Sequence, residues 1–220
     1  MKDFAGRTAF VTGGANGVGL GLARALLAEG CNVAIADIRR AHIDAALRAL
    51  DNPRAMGIVL DVSSRADLAR AADAVEAKFG VVTLLFNNAG VNLFQSVEES
   101  SYDDWDWIMG VNLHGPINGV MTFVPRMIRA KQGGYVVNTA SMVSFLAAGV
   151  CGIYNTTKFA VRGLSASLRA SLAPHGIGVS VLCPMVVETK LVSNSERIRG
   201  ADYGLSSAVS YTHLTLPTKA

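Results

Sequence analysis

Charge is scarce in this chain. Only 17% of the residues are Asp, Glu, Lys or Arg, and the formal net charge is +3. That balance is too small and too scattered to point to a nucleic-acid partner. Cysteine is scarcer still. Cys31, Cys151 and Cys183 are odd in number and lack metal-ligand spacing. Neither a disulfide framework nor a metal site is expected, and reduced thiols in a cytosol are. No apolar run approaches the roughly 18 residues of a membrane span. The N-terminus, Met1-Lys2-Asp3-Phe4, carries no apolar signal region. A cytoplasmic protein without membrane contact is therefore expected. Linkers and low-complexity stretches are missing too, so the 220 residues read as one domain or a domain with a small appendage.

What is present is an alternation of apolar runs with helical patterns, the mark of repeated βαβ units around a parallel sheet. Strands are expected at 8–12, 32–37, 55–60, 83–87, 134–140 and 178–183. Helices are expected to begin near Gly17, Ala41, Ser64, Tyr102, Gly152 and Glu188. Near-continuous apolar strands such as Val33-Ala34-Ile35-Ala36 imply cover on both faces. The fold class predicted is α/β, a doubly wound, Rossmann-like parallel sheet in three layers.

Two stretches carry chemistry. The first strand runs into Thr12-Gly13-Gly14-Ala15-Asn16-Gly17-Val18-Gly19. Glycines there let the backbone turn sharply and approach a pyrophosphate at the N-terminus of the next helix. Asp37, ending the second strand, is placed to accept hydrogen bonds from an adenosine ribose, or else to cap the following helix. The other stretch is Tyr154-Asn155-Thr156-Thr157-Lys158. On a helix, Tyr154 and Lys158 share a face, and a lysine ammonium near the phenol would lower its pKa toward neutral. Ser141 follows the fifth apolar run and would sit at the carboxyl end of the sheet, where open α/β folds bind ligands.

Together these motifs resemble the short-chain dehydrogenase/reductase family, from Gly6 to about Ser195. The Thr12–Gly19 glycine spacing is the family's own. Asp61-Val62 matches its adenine-contacting pair, Asn88-Ala89-Gly90 the end of its N-N-A-G motif, and Asn112 its mid-chain asparagine. The resemblance implies a catalytic tetrad of Asn112, Ser141, Tyr154 and Lys158. Hydride would pass between the nicotinamide and a substrate carbon, and the proton through Tyr154. Lys158 would lower the Tyr154 pKa and hold the nicotinamide ribose, Ser141 would hold the substrate oxygen, and Asn112 would anchor a water. Pro184, Val187 and Thr189 match the positions that line and grip the nicotinamide. The cofactor implied is NAD, with NADP disfavoured by Asp37. Arg39 and Arg40 argue the other way. Leu93, Phe94, Gln95, Val143, Phe145, Leu146 and Cys151 are candidates for a mostly apolar pocket wall. They suit a hydrophobic secondary alcohol or ketone, although Phe145 and Leu146 can equally be packed on their own loop.

The departures from the family pattern matter as well. Met185 stands where a glycine is usual, and is strained if that position needs positive φ. The family continues through a lid, a seventh strand and a last helix, which this chain is expected to lack. Residues 209–220 resemble one reading frame of a sequencing adapter rather than a genuine polar tail. The domain is accordingly expected to span 1–208. Expected partners are a small-molecule substrate and, for a full-length chain, further copies of itself. A dinucleotide-binding protein without turnover is the alternative reading.

Overall fold

Runs rich in β-branched residues alternate with longer amphipathic stretches, and these become strands and helices in turn. The computed structural model describes residues 4–147 and 149–185. Its strands are β1 (Thr8–Thr12), β2 (Asn32–Asp37), β3 (Ala55–Val59), β4 (Val82–Asn87), β5 (Gly134–Thr139) and β6 (Ile177–Leu182). Its helices are α1 (Gly17–Ala28), α2 (Arg40–Leu50), α3 (Arg65–Phe79), α4 (Tyr102–Met109), α5 (Gly115–Ala130) and α6 (Gly152–Leu172). The strands form one parallel sheet in the order β3-β2-β1-β4-β5-β6, so the doubly wound expectation holds. The helix expected from Glu188 and the tail at 209–220 lie outside the described residues.

Each face of the sheet has its own core. Phe10, Val136, Ile177 and Val179 face one side, against Leu68 and Val75 of α3, Phe123 and Met127 of α5, and Leu172 of α6. Phe10 and Phe123 meet ring to ring, with centroids 4.6 Å apart. On the other side Ala9, Val11, Val33 and Ile35 pack on Leu26, Leu27 and Ile43 of α1 and α2. The central strands β1 and β4 are buried at every residue, as cover on both faces requires. β5 alternates instead between buried and half-buried residues. Its Tyr135 and Val137 are only partly buried on the α1–α2 side.

One element departs from expectation. The helix predicted from Tyr102 does not run on as a single α-helix. It widens into a π turn at Gly110–His114 before α5 begins. The wide turn carries Asn112 inward, where its carboxamide pairs with the backbone of Val91 in both directions, at 2.8 and 2.9 Å. Asn118, one turn into α5, then donates to the carbonyls of Val62 and Ser63.

Beneath the sheet's carboxyl end a buried polar chain links β4, β5 and α6. Asn87 donates to Asn138 at 2.8 Å, Asn138 donates to the Ser165 hydroxyl at 2.8 Å, and Ser165 donates to the carbonyl of Val161. A buried polar group left without its partner costs more than the bond itself is worth. Asn138→Ala is therefore expected to destabilise the fold by about 2–4 kcal/mol, through a cavity and an orphaned amide. Urea unfolding would measure it, and a loss below about 1 kcal/mol would contradict this account.

Candidate functional site

The first loop leaves β1 through Gly13, whose φ of 62° suits a residue without a side chain. A methyl group at Gly13 would stand 2.9 Å from the Ala89 Cα. At Gly19 it would meet the Gly13 carbonyl at 2.2 Å, so only glycine lets α1 come this close to the loop. Thr12 and Asn88 lock the loop to the neighbouring strand ends. The Thr12 hydroxyl accepts from the N–H groups of Asn88 and Ala89, and the Asn88 side chain donates to the Thr12 carbonyl at 3.1 Å. Thr139 donates to the same Asn88 side chain at 3.3 Å. Gly17 and Val18 open α1, which has no acidic residue in its first turn and no side chain capping it. This cradle fits a pyrophosphate, since helix N-termini offer unpaired N–H groups and a positive dipole end.

Asp37 ends β2 and one of its carboxylate oxygens accepts from the N–H of Arg39 at 3.1 Å. The N-cap of α2 is Arg39, so the capping alternative for Asp37 is not realised. Asp61 accepts from Ser63 N at 2.8 Å, and Val62 is buried beside Gly115. Gly90 lies between the glycine loop and the α6 groups, its missing Cβ being 3.6 Å from Lys158 Nζ and 3.4 Å from Asn112 Oδ1.

The fifth strand and α6 bring the other candidates together. Ser141 follows β5, and α6 starts at Gly152, with Cys151 at its N-cap. The helical spacing then sets Tyr154 and Lys158 on one face, with Lys158 Nζ 5.4 Å from the Tyr154 ring centre. The Ser141 hydroxyl lies near enough to the Tyr154 phenol to favour its ionised form. Lys158 is 4% exposed and donates to the Thr139 carbonyl at 2.9 Å. Asn112 lies behind them, fully buried, and donates to the Thr157 hydroxyl at 3.4 Å. Asn112, Ser141, Tyr154 and Lys158 thus converge at the carboxyl end of the sheet, next to the glycine loop.

The electrostatics differ from the expectation that Lys158 draws the phenol's pKa down. Burial pushes the Tyr154 phenol up, the neighbouring Ser141 hydroxyl works against that, and Cys151 adds to the rise. Lys158 is itself too buried to hold its charge cheaply. Desolvation pushes its ammonium down to about 8, with Cys183 pulling the other way. Charge is penalised on both groups for the same reason, their removal from water.

Around this centre the outcome is mixed. Pro184 is placed by its carbonyl, which accepts from Met142 N at 3.0 Å. Val187 and Thr189 lie outside the described residues. Among the described non-glycine residues only Asp51 and Lys131 have positive φ, so Met185 carries no left-handed strain. Its side chain is exposed. Of the pocket-wall candidates, Leu93 packs on the small core of Val91, Ile108 and Ile153. Phe145 is stacked under the Arg162 guanidinium at 4.2 Å, while Leu146 stands exposed. Cys151 is buried, and Gln95 pairs with it in an isolated parallel bridge. Sequence reasoning missed Thr157, Asn138 and Ser165. For Asn138 a signal existed, a polar residue inside the apolar run of β5. Among the described residues no group of His, Cys, Asp and Glu could hold a metal ion, and no helix is long and apolar enough to cross a membrane.

The sequence profile of the short chain dehydrogenases matches residues 7–199. A C alpha-dehydrogenase from Sphingobium sp. (strain NBRC 103272 / SYK-6) is 44% identical over 212 residues, covering 95% of this chain and 69% of that protein. A short-chain dehydrogenase structure from Novosphingobium aromaticivorans is 65% identical and superposes with a TM-score of 0.84, covering 86% of this chain and 71% of the other. A short chain dehydrogenase/reductase from Burkholderia phymatum in complex with NAD superposes with a TM-score of 0.89 at 34% identity, covering 96% and 76%. The profile runs from β1 past the end of β6 and the relatives share the sheet, so the chain belongs to the short-chain dehydrogenase/reductase family of oxidoreductases.

Proposed function

We propose that this chain is an NAD(H)-dependent oxidoreductase interconverting an apolar secondary alcohol and its ketone. The observation that carries the reading is the convergence of Tyr154 and buried Lys158, 5.4 Å from ammonium to ring centre, beside Ser141 at the strand ends next to the glycine loop. Two relatives support it: the Burkholderia structure holds NAD, and the Sphingobium protein is named for dehydrogenation at a C alpha. Three free cysteines support a cytoplasmic setting.

In this reading the bound nicotinamide supplies hydride exchange. The chain's own residues do the rest. The loop Thr12–Gly19 holds the pyrophosphate, with Asn16 in it, and Asp37 holds the adenosine ribose. Asp61 and Val62 flank the adenine, and Asn88, Ala89 and Gly90 line the middle of the cofactor, with Pro184, Val187 and Thr189 at its nicotinamide end. Ser141 orients the substrate oxygen toward the phenol. Tyr154 gives or takes the proton at its phenol oxygen, a transfer that needs direct hydrogen-bond reach. Lys158 holds the nicotinamide ribose and offers an ammonium beside the ring. Asn112 is a positioning residue that fixes the loop after β4 through Val91.

Titrating the protein with NADH by fluorescence, then supplying a panel of ketones, tests the reading. NADH binding with turnover of apolar ketones is the expected result. Binding without turnover would favour a dinucleotide-binding role instead. NADH is expected to bind at least tenfold more tightly than NADPH. A 2′-phosphate would face the Asp37 carboxylate, and at ~4 Å each unit pair costs about 4 kcal/mol at an effective dielectric of ~20, before screening. Equal or tighter NADPH binding would overturn this preference.

Tyr154→Phe keeps the ring but removes the proton donor. Turnover should fall at least about 100-fold while the NADH Kd stays nearly unchanged. Near-normal turnover would exclude Tyr154 from proton transfer.

Lys158→Met should weaken NADH binding and also reveal the cost of burying the ammonium. The folded pKa of about 8 lies below the ordinary lysine value of 10.5. Between these values the unfolded chain keeps the proton and the folded chain sheds it, so wild-type stability rises with pH across that window. Below about 8 the full cost is present, roughly 3 kcal/mol. The lost bond to Thr139 offsets about 1 kcal/mol of that. Without cofactor, the methionine variant should be the more stable at pH 7, and the difference should shrink toward pH 10. Urea titrations at several pH values would show it, and a difference independent of pH would refute it.

A further inference from the structure

An asparagine at a helix N-cap ordinarily turns its side chain onto the helix's own second or third N–H group. Asn16 does not. It is the N-cap of α1, with extended backbone (φ −146°, ψ 165°), yet its side chain makes no cap hydrogen bond. Serines at comparable places behave normally. Ser64 accepts from Asp67 N at 3.2 Å, Ser101 from Asp104 N at 3.2 Å, and Ser141 from Val143 N at 3.4 Å. Asn16 is drawn elsewhere. Its amide nitrogen donates to Nδ1 of His42 at 2.9 Å, across 26 residues of sequence. His42 lies in the first turn of α2, where its own N–H bonds the Arg39 carbonyl. The ring therefore projects from a fixed base.

We propose that His42 is a positioning residue for the cofactor's pyrophosphate, acting by holding Asn16 off the end of α1. This rests on the NAD(H) reading above. The N–H groups that a folded-back Asn16 would satisfy, those of Val18 and Gly19, are the ones an anion at this helix end would use. Self-capping and anion binding compete for them. No acidic side chain stands in the first turn to provide another cap. The tether to His42 removes the internal competitor before ligand arrives, which is preorganisation at the loop itself. It also explains how a strong capping residue can occupy this position without closing the site.

The test is an NADH fluorescence titration of the whole chain and its variants. His42→Ala should raise the Kd roughly fivefold, the equilibrium weight of an ordinary asparagine cap. His42→Leu fills the same space without an acceptor and should lose as much, which covers an alanine variant that fails to fold. His42→Gln restores an acceptor and should bind like wild type. In an Asn16→Ala background, His42→Ala should leave the Kd unchanged, because no competing cap remains. An unchanged Kd in the single variants would overturn the proposal. So would an equal loss with and without Asn16, which marks a general loosening of α2. Wild-type protein that binds no NADH would remove the cofactor reading itself, and this inference with it.

Discussion

One asparagine holds the working end of this sheet in register. Asn88 follows β4 and reaches both neighbours, binding Thr12 through its backbone and side chain while accepting from Thr139. Parallel strands have no hairpin to align their ends, so something after the last ladder bond must stop them splaying. The effect extends beyond the strands. Thr139 also presents its carbonyl to Lys158, and Gly13 sits against Ala89. The glycine loop and the α6 groups are therefore positioned through the same few polar atoms. Each bond contributes only about 1 kcal/mol, but breaking any of them leaves a poorly hydrated group unpaired.

The strands were legible because β-branched, apolar runs of five or six residues are local signals. Their ends fell within a residue of expectation, and the misses at Val82 and Ile177 depend on pairing rather than composition. The start of α5 was not legible, since nothing in the periodicity between Tyr102 and Ala130 announces a change of helical pitch. Asn112 was found through family resemblance alone. Its fixing contact is with Val91, 21 residues away. The Asn138–Ser165 and Asn16–His42 pairs are hidden for the same reason, being 27 and 26 residues apart. Periodicity reads faces, and it does not read which polar group on one face meets which on another.

The Tyr154–Lys158 pair shows another limit. Their four-residue spacing correctly put both side chains on one face of α6. Spacing says nothing about solvent, and solvent decides the direction of both shifts. With Lys158 fully enclosed, the energetic question changes from how strongly a cation stabilises a phenolate to whether the cation persists at all. Among the described residues the Thr139 carbonyl is the acceptor given to that ammonium, and it is neutral. A site with these properties changes its charge readily when its surroundings change.

The π turn between α4 and α5 has a consequence for how this chain can vary. It contains one residue more than an α turn would, and that surplus sets the phase of everything after it. Ile108 before it faces the Val91–Ile153 cluster, and Phe123 after it faces Phe10 on the sheet. Losing a single residue here would turn α5 by about 100° relative to α4. Val120 and Phe123 would swing out of the core, and Asn118 would leave the loop after β3. A substitution in this region alters one contact, whereas a one-residue deletion redirects a whole helix. The segment can therefore tolerate changes of side chain far better than changes of length.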